Sequence, residues 1–509
     1  MSSFFKHKWL MLLVVVTLGF SAYSFVLNAP FKTLDDQFGI VKNEKIQIFD
    51  NIGQLFTESY FDDDVYYRPL VLLSYMAEYH FFQLRSVYYY EVNIGIHLLA
   101  VIFVFLFIQL LFNNNVMAFF TALLFAMHPV HWVAVTNITG RSVVLGDTFF
   151  IASVYCFCLA RIKQERAFFY LLSLLSFSCA ILTRESTMTL PIILGSYLLI
   201  VERRRLLKDF KIYARLLSPY LVVGGIYFFA RHVMGITRLF NQHRMTEEIV
   251  LSFLTFLRSV ITHLRIFIAP YDLHFDRSTV IFSGMAQPAA IATILFFVTL
   301  IFLVFIFRKT IPHKAQFFIM WFFILLLPVA QVVAPVAIQK GYISSGEHFL
   351  YMPSVAVFVL SVLLMQYMYK KNAEHRWISV VTFNFVILGI IVFLFLTTVK
   401  QSIISSSELA MHEQIINYAP HNTRMRYSYG SALVKSRLFA KAEEQFRAIL
   451  KIDPTDAKVR ISLGKALCDQ GHYEEGIAEY NKVQNEGEWK SLLEENIRLA
   501  KEHLLSESL

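Results

Sequence analysis

The chain has 509 residues, of which 56% are hydrophobic and only 16% are charged. Soluble domains carry about 25% charged residues, so this composition argues against a soluble protein and favours one that spans a lipid bilayer. The formal net charge of +9 could indicate a nucleic-acid partner, but most Lys and Arg residues lie in short tracts between apolar runs. Such tracts set the orientation of membrane helices. We therefore expect a lipid bilayer, and no nucleic acid, as a partner.

Apolar runs long enough to cross a bilayer as a helix, about 20 residues each, recur along the chain. About eleven membrane helices are predicted, at about 9–28, 93–112, 116–136, 143–160, 167–183, 187–201, 213–230, 288–307, 316–336, 349–369 and 377–399. The first run is long for the apolar part of a signal peptide, and no small-residue cleavage site of the usual kind follows before Pro30. We interpret it as a membrane anchor. The predicted fold class is all-α: a polytopic membrane helical bundle with a helical repeat domain after it.

The distribution of positive charge predicts which loops face the cytoplasm. Lys6 and Lys8 precede the first span, and the loops on the same side hold the basic tracts Arg161–Arg166, Arg203–Lys211, Arg308–Lys314 and Lys370–Arg376. The positive-inside rule asks for this pattern. An odd number of spans then places the C-terminus outside, together with two long outer segments at about 29–92 and 231–287.

The stretch 251–271 is apolar, but Arg258, His263 and Arg265 interrupt it. Counting it as a span would move the basic tract that begins at Arg308 to the outer side, against the positive-inside rule. We predict a helix that lies at the outer surface or lines a cavity, where cationic groups are solvated or paired.

A repeat of 34 residues, which is the period of tetratricopeptide (TPR) units, follows the last span. Gly430 recurs as Gly464, and Pro420 recurs as Pro454.

The sequence thus predicts a transmembrane domain at 1–400 and a TPR-like domain at 401–509 on the non-cytoplasmic side. Helix pairs of this kind offer a groove for a peptide partner. Alternatively, the domain could pack as a lid over the outer loops.

Two adjacent carboxylates, Asp35 and Asp36, begin the first outer segment. One could act as a general base toward an acceptor hydroxyl, or one could bind a divalent cation. A solvated pair without chemistry is the other interpretation. The residues require no cofactor, and the need for a divalent metal stays open.

Polar side chains near the outer ends of several spans are costly to place in lipid, so they are functional candidates. They are Arg68, His97, His128, His131, Arg141, Arg184 and Glu185. Guanidinium groups bind phosphate oxygens in bidentate fashion, so three arginines beside a carboxylate suit a phosphorylated lipid. His97 could instead be a packing group, and Arg141 and Arg184 could extend to lipid headgroups.

Several motifs occur in a fixed order along the chain. They are Leu34-Asp35-Asp36 through Asn43, Tyr67-Arg68-Pro69-Leu70, His128-Pro129-Val130-His131 with Gly140-Arg141, Pro270-Tyr271-Asp272-Leu273-His274-Phe275-Asp276, and Glu347-His348-Phe349-Leu350-Tyr351-Met352-Pro353-Ser354. This ordered set, followed by the repeats, resembles the transmembrane and TPR-containing O-mannosyltransferases, which are GT-C glycosyltransferases. The resemblance covers about 34–500, nearly the whole chain.

The resemblance implies an inverting transfer of a sugar, such as mannose, from a polyprenyl- or dolichyl-phosphate donor to a hydroxyl acceptor on a protein or glycan. It implies that Asp35 or Asp36 is the base. Arginines would hold the donor phosphate, a role we assign to Arg141, Arg184 and Arg68. Supporting roles are expected for His97, His128, His131, Glu185, Glu347 and His348.

Three positions depart from the family's pattern. Val133 stands where the family commonly has Glu, Arg184 where it has Lys, and His348 where it has Arg. The missing Glu could mean another sugar, another acceptor or no catalysis. The short repeat domain favours a bacterial relative with its site on the periplasmic face of the inner membrane. The ER membrane with a lumenal site is the alternative.

Two other functions remain open. A non-catalytic, membrane-tethered TPR scaffold would bind partner proteins without needing Asp35 or Asp36. A transporter of lipid-linked sugars would use a discontinuous helix pair or an acidic residue at mid-membrane depth, and the sequence analysis identifies neither.

Overall fold

A computed structural model of the protein describes residues 7–33, 35–61, 65–163, 166–236, 246–332, 341–375, 378–483 and 487–507. Lys6, Leu34, Arg376 and part of the outer segment 231–287 lie outside the described residues. The described residues form helices and one pair of short strands, so the predicted all-α fold class is confirmed. The chain divides into two compact units, which we call the transmembrane unit (Met1–Phe31 with Asp36–Ser406) and the C-terminal unit (Lys32–Asp35 with Ser407–Leu509).

The helices of the transmembrane unit follow one another in chain order. The α-helices are α1 (Lys8–Tyr23), α2 (Glu44–Gln47), α3 (Pro69–Phe82), α4 (Ser86–Phe112), α5 (Asn115–Met127), α6 (Trp132–Val135), α7 (Arg141–Ile162), α8 (Arg166–Ile181), α9 (Leu190–Ser196), α10 (Phe210–Val233), α11 (Thr246–Ile268), α12 (Pro288–Phe307), α13 (His313–Leu326), α14 (Ser354–His375) and α15 (Val380–Ser406). Short 3-10 turns lie at Ser24–Val26, Phe49–Phe56, Pro129–His131, Ile138–Gly140, Glu185–Thr189, Leu327–Val329 and Glu347–Leu350. The segments Gln37–Val41 and Tyr197–Val201 are π-helical.

Seven helices in the described part of the chain are long and apolar enough to cross a membrane. They are Lys8–Val26, Ser86–Phe112, Ile138–Ile162, Phe210–Val233, Thr246–Ile268, Pro288–Phe307 and Val380–Ser406, and the bent pair formed by α5 with Pro129–Val135 would be an eighth. The predicted spans 167–183, 187–201 and 316–336 correspond to shorter apolar helices, and 349–369 falls on α14. The stretch 251–271 was predicted not to span, yet it contains most of α11, which has the length and hydropathy of a span. The count of eleven and the orientation therefore stay predictions.

The break between α5 and α6 follows from the local sequence, although the sequence analysis treated 116–136 as one span. A proline disfavours the helical region for the residue before it, and His128 before Pro129 is extended, with φ −75° and ψ 131°. The imidazole Nδ1 of His128 accepts a hydrogen bond from the amide of Val130 (3.2 Å), which caps the turn that follows. The two helical segments meet at 47°.

Helix α7 lies at the centre of the transmembrane unit. In the most apolar 18-residue stretch of Ile138–Ile162, 78% of the residues are buried. The corresponding shares are 17% in α12 and 11% in α15. The outward surfaces of α12 and α15 are apolar and suit lipid. Polar side chains on α7 therefore face protein, and this is where a polar site can exist at low cost.

The two strands join segments that are far apart in the sequence. Strands β1 (Ser278–Val280) and β2 (Tyr342–Ser344) are antiparallel, with Ser278 opposite Ser344 and Val280 opposite Tyr342. The pairing extends beyond the strands, since the Ser345 amide donates to the Arg277 carbonyl (2.9 Å). It thereby holds the segment before β1 next to the segment after β2, which contains Glu347 and His348.

The C-terminal unit consists of paired helices. They are α16 (Glu408–Tyr418), α17 (Thr423–Lys435), α18 (Phe439–Leu450), α19 (Ala457–Cys468), α20 (Tyr473–Tyr480) and α21 (Lys490–Glu507).

The 34-residue repeat is visible in the contacts of these helices. A Cβ added to Gly430 would lie 2.5 Å from the Phe446 ring, and one added to Gly464 would lie 2.6 Å from the Tyr480 ring. Each glycine thus lets an aromatic side chain from the second helix of its pair touch the backbone of the first. The assignment of these pairs as TPR units stays a prediction.

We predict that Gly430→Ala destabilises the α17–α18 pair. A methyl group 2.5 Å from the buried Phe446 ring forces the ring or helix to shift, at a cost of about 1–3 kcal/mol, which exceeds the roughly 1 kcal/mol that Ala gains over Gly in a helix. Amide hydrogen exchange of the full chain in detergent should become faster in this pair. In a Phe446→Leu background the same change should slow exchange, because only the helix propensity is left. Equal effects in both backgrounds would contradict the steric explanation.

Candidate active site

Arg68 and Glu185 form an ion pair at the start of α3. The Nε of Arg68 donates to Oε2 of Glu185 at 3.2 Å, and its Nη1 donates to the hydroxyl of Ser142 at 3.4 Å. The other oxygen of Glu185 accepts from the Tyr67 amide at 3.2 Å and lies 3.7 Å from Nη1 of Arg231. Glu185 therefore joins two arginines, Arg68 and Arg231.

Arg184 has few partners for a largely buried cation. Its Nη1 lies 3.5 Å from Oδ2 of Asp147, and its other guanidinium N–H groups have no protein acceptor among the described residues. The side chain fits against α7 because residue 146 is glycine: a Cβ there would lie 3.0 Å from the Cβ of Arg184. Arg184 is thus positioned by packing, with hydrogen-bonding capacity to spare.

A narrow cavity opens beside Arg184. The cavity has a volume of about 20 Å³, and it is bounded by polar and apolar residues: Asp147, Phe150, Arg184, Ser186, Thr187, Leu325, Val329, Phe349, Met352 and Pro353. Its polar lining includes Arg184 and Asp147, and its apolar lining includes Phe150 and Leu325.

Arg141 differs from Arg184 in how fully its guanidinium group is hydrogen-bonded. It is fully buried, and all five N–H groups of its guanidinium have acceptors. Nε donates to Asn93 at 2.5 Å, both terminal nitrogens donate to the Glu78 carboxylate, and the remaining bonds go to the Ser74 hydroxyl and the Tyr89 carbonyl, each at 3.1 Å. No N–H of Arg141 is therefore left for a phosphate. Arg141 and Glu78 form a structural ion pair between α7 and α3.

The three predicted histidines lie in the protein interior. Nδ1 of His97 bonds the Tyr351 hydroxyl at 2.7 Å, and its Nε2 bonds the Ala126 carbonyl at 3.2 Å. His128 and His131 are also buried and bonded at both ring nitrogens, His128 to the Val130 amide and the Phe267 carbonyl, His131 to the Phe125 carbonyl and the Ser354 hydroxyl. They support packing of the segments around the bend after α5.

No three His, Cys, Asp or Glu side chains in the described part of the chain converge as a metal-binding set. We therefore assign no metal ligands.

Glu347 is the centre of a buried hydrogen-bond network. Its Oε2 accepts from the Trp132 indole at 2.8 Å, and its Oε1 accepts from Arg277 at 3.0 Å and from the His274 amide at 3.3 Å. Burial raises the pKa of the Glu347 carboxyl, and the Arg277 charge opposes that shift. Glu347 thus connects Trp132, the neighbour of Val133, with His274 in the motif 270–276 and with Arg277, which follows that motif.

His348 lies at the arginine cluster. Burial lowers the pKa of its imidazole to about 3, and the charges of Arg184 and Arg68 act in the same direction. The imidazole is therefore neutral at physiological pH. Where the family's pattern has Arg, this chain has an uncharged imidazole, whose pKa is affected by the charges of Arg184 and Arg68.

Asp36 is buried in the transmembrane unit, with 3% of its surface exposed. It interacts electrostatically with Tyr75, whose ring lies 5.1 Å from the Arg141 guanidinium. Tyr60 interacts with Tyr75 as well, and its ring lies 6.0 Å from the Arg68 guanidinium. Tyr75 is thus within electrostatic range of Asp36 and Arg141, and Tyr60 is within range of Arg68. Asp35 belongs to the C-terminal unit.

The transmembrane unit thus brings Arg68, Arg184, Glu185 and His348 together. Asp36 lies within electrostatic range of Tyr75, and Arg141 and the three histidines serve the surrounding packing. Sequence reasoning missed Asp147 and Arg277. Asp147 could have been found as an ionisable residue inside the predicted span 143–160. Arg277 directly follows a motif that the sequence analysis had already singled out.

A polar site walled by apolar helices of this length is that of an integral membrane protein. Residues 81–227 match the family model described as dolichyl-phosphate-mannose-protein mannosyltransferase. A protein O-mannosyl-transferase of Caenorhabditis elegans is 24% identical over 462 residues, 87% of this chain and 63% of that protein. The human protein O-mannosyl-transferase TMTC2 is 28% identical over 295 residues, 52% of this chain and 35% of that protein.

The chain is therefore similar to protein O-mannosyl-transferases along most of its length, and the family resemblance drawn from its motifs is confirmed. It spans less than two thirds of the length of these relatives. The crystal structure of the Archaeoglobus fulgidus oligosaccharyltransferase with a tethered acceptor peptide aligns with a TM-score of 0.43 at 12% identity, over 83% of this chain and 58% of that chain.

We predict that Arg141 is needed for stability. Arg141→Met leaves the Glu78 carboxylate buried without its partner, which costs about 3–5 kcal/mol, so thermal unfolding in detergent should begin at a lower temperature. The double variant Arg141→Met with Glu78→Met should recover part of the loss, because it leaves no unpaired charge. Arg166→Met, at an exposed position, is the control. An Arg141→Met protein as stable as wild type but unable to bind donor would instead assign Arg141 to the phosphate.

Proposed function

We propose that this chain is a membrane glycosyltransferase of the GT-C type. It would transfer a sugar such as mannose from a polyprenyl- or dolichyl-phosphate donor to a hydroxyl group of a protein acceptor. The observation that carries the proposal is the underpaired Arg184 beside a cavity that is lined by both polar and apolar residues. The names of the relatives support a protein acceptor.

The donor phosphate is assigned to Arg184 and Arg68. Both guanidinium groups keep N–H groups without a protein acceptor among the described residues, whereas every N–H of Arg141 is in use. The phosphate gains negative charge as its bond to the sugar breaks, and fixed cations stabilise that charge. The apolar residues beside the cavity, such as Phe150 and Leu325, would face the first units of the lipid chain.

The base is assigned to Asp36, with Asp35 as the second candidate. In an inverting transfer the acceptor oxygen attacks the anomeric carbon from the face opposite the phosphate. The new carbon–oxygen bond forms as the bond to phosphate breaks, the electron pair leaves with the phosphate, and the aspartate takes the hydroxyl proton. A buried carboxylate beside tyrosines is a suitable base, because low solvation keeps it reactive toward a hydroxyl held close to it.

His348 reduces the positive charge at the phosphate by one relative to the family's pattern. A neutral imidazole can still donate one hydrogen bond to a phosphate oxygen. Glu185 would keep Arg68 and Arg231 in place, and Glu347 would keep His348 and Arg277 in place.

The polar cluster and the repeat domain would lie on the outer face, which is the periplasmic face of a bacterial inner membrane or the lumenal face of the ER. The C-terminal helix pairs would offer their groove to a peptide partner. A non-catalytic scaffold is the competing function.

We predict that Asp36→Asn lowers the rate of sugar transfer in single-turnover assays with a lipid-phosphate donor. Loss of a general base should reduce kcat by about a hundred- to ten-thousand-fold, with little change in the KM for donor. Asp50→Asn, at an exposed position of the same outer segment, is the control, and Asp35→Asn tests the second candidate. Wild-type transfer by the double variant Asp35→Asn with Asp36→Asn would eliminate the enzymatic function.

We predict that Arg184→Gln weakens donor binding. Loss of hydrogen bonds to a charged phosphate is worth about 1.5–3 kcal/mol, so the KM for donor should rise about ten- to a hundredfold. Arg184→Lys should recover much of this loss because it retains the charge. Arg166→Gln, exposed near the other end of α8, should leave KM unchanged. An unchanged donor KM in Arg184→Gln would contradict the assignment.

A further inference from the structure

A basic segment leads from the π-helical turn Tyr197–Val201 into α10. It reads Glu202-Arg203-Arg204-Arg205-Leu206-Leu207-Lys208-Asp209-Phe210-Lys211, with five cations and two carboxylates. Every residue of this segment is among those that the structure describes. We call it the basic loop (202–211), and none of its residues belongs to the candidate active site.

Both carboxylates of the basic loop are engaged by cations and amides within the fold. Glu202 accepts from Nε of Arg161 at 2.8 Å and from its Nη2 at 2.9 Å, and it also accepts from Nε of Arg204 at 3.0 Å. Asp209 accepts from the backbone amide of Arg205 at 2.8 Å, and its Oδ1 lies 3.9 Å from Nη1 of Arg204. The two carboxylates therefore compensate Arg161 and Arg204, and the other cations of the loop are left without them.

The backbone of the basic loop is held in a fixed shape. The Arg204 amide donates to the Leu198 carbonyl at 3.0 Å, and the Tyr213 hydroxyl donates to the Arg204 carbonyl at 3.3 Å. Arg203 has a φ of 57°, in the left-handed region, which a residue with a side chain keeps only where surrounding contacts impose it. The loop is thus ordered before any ligand arrives, so binding costs little further backbone entropy.

Five exposed cations lie on the basic loop and on the first turns of α10. Their side chains have no hydrogen-bond or ion-pair partner among the described residues; they are Arg203, Arg205, Lys208, Lys211 and Arg215. Lys211 and Arg215 are four residues apart on the helix, so they lie on the same face. Positive charge is therefore concentrated, uncompensated, at the start of α10.

Large apolar side chains are exposed between these cations. Leu206 is 54% exposed, Leu207 92% and Phe210 66%. Exposed apolar side chains among basic ones are typical of a surface that inserts into the boundary between lipid headgroups and acyl chains. An acidic protein or a nucleic acid would pair with the cations but would leave these three side chains in water. The combination favours a lipid surface.

The basic loop also joins a helix that is long enough to cross the bilayer. The 24 residues of α10 extend about 36 Å at about 1.5 Å per residue, more than the hydrocarbon thickness of about 30 Å. Farther along α10, Leu221, Ile226 and Phe229 are exposed and suit acyl chains. The first turn of α10 therefore reaches the level of the headgroups, and the basic loop lies there with it.

We propose that the basic loop, together with Arg215, binds anionic phospholipid headgroups. The cations pair with the headgroups, while Leu206, Leu207 and Phe210 insert beneath them. The positive-inside pattern predicts that this side faces the cytoplasm, and clusters of basic residues next to a membrane helix are attracted to an anionic leaflet. This proposal is independent of the glycosyltransferase function, because no residue of the candidate active site takes part.

The test places a fluorophore in the loop and a quencher in one lipid at a time. The full chain with Leu207→Cys is labelled with bimane and reconstituted in vesicles of equal parts phosphatidylcholine and phosphatidylglycerol, one of which carries a nitroxide on its acyl chain. A single basic residue near an anionic surface strengthens the attraction about fivefold. Quenching by labelled phosphatidylglycerol should therefore exceed quenching by labelled phosphatidylcholine about fivefold. The chain without Leu207→Cys, treated in the same way, gives the background from the native cysteines.

Substitutions in the loop separate charge from insertion. Arg203→Gln, Arg205→Gln and Lys208→Gln combined should lower the ratio of the two quenching values to about one, because the attraction to the anionic headgroup is lost. Arg203→Lys with Arg205→Lys should keep the ratio of the parent. Salt at about 1 M should also lower the ratio, since it screens charges beyond about 3 Å, while quenching by phosphatidylcholine should persist.

The matched control changes the net charge by the same amount elsewhere. It combines Lys435→Gln, Arg437→Gln and Lys441→Gln, three exposed cations of the C-terminal unit, and it should leave the ratio unchanged. An equal fall of the ratio in this control would overturn the proposal, because net charge alone would then explain it. Equal quenching by the two labelled lipids in the parent would overturn the selection of anionic headgroups. No quenching by either lipid would overturn the insertion of the loop and leave a soluble acidic partner.

Discussion

The arrangement of the transmembrane unit depends on one requirement: the fully buried guanidinium group of Arg141 needs an acceptor for every N–H, because an unpaired buried donor is costly. Arg141 meets this requirement with Glu78, Asn93, Ser74 and Tyr89, and it thereby fixes α3 and α4 against α7. The positions of the other polar groups follow from this junction. Arg68 lies at the start of α3, and Ser142 and Asp147 lie on α7, so each is placed by elements that the Arg141 contacts hold together.

The same requirement distinguishes structural arginines from functional ones. An arginine whose donors are all used contributes to the fold, and one that keeps donors facing a cavity can bind an anion. By this criterion the arginines predicted together from the sequence separate, with Arg141 in the first group and Arg184 in the second, while Arg68 does not line the cavity but has one N–H-bearing nitrogen without an acceptor among the described residues. The carboxylates separate in the same way: Glu78 and Glu347 are enclosed by donors, whereas Asp147 contacts its arginine through one distant oxygen.

Much of the fold could be predicted because membrane helices follow directly from apolar length. The 34-residue spacing of Gly430 and Gly464 likewise identified the repeated helix pairs, since only a residue without a side chain fits under an aromatic ring. Features that depend on tertiary contacts could not be predicted. The presence of Pro129 alone does not show that the helix breaks at His128, because the break also depends on the backbone conformation there. Whether α11 spans the membrane depends on the groups that surround Arg258 and Arg265. Residue type identified Arg141 as a candidate, but its role depends on Glu78, which is 63 residues away.

The network around Glu347 has a consequence for how the protein is made. Trp132 and Glu347 are 215 residues apart, and between them lie all the helices from α7 to α13. During synthesis the indole N–H of Trp132 therefore has no Glu347 carboxylate to bind until the helices from α7 to α13 have been made. The polar region is completed late, when the segment after β2 arrives, so a partly inserted chain holds no finished site.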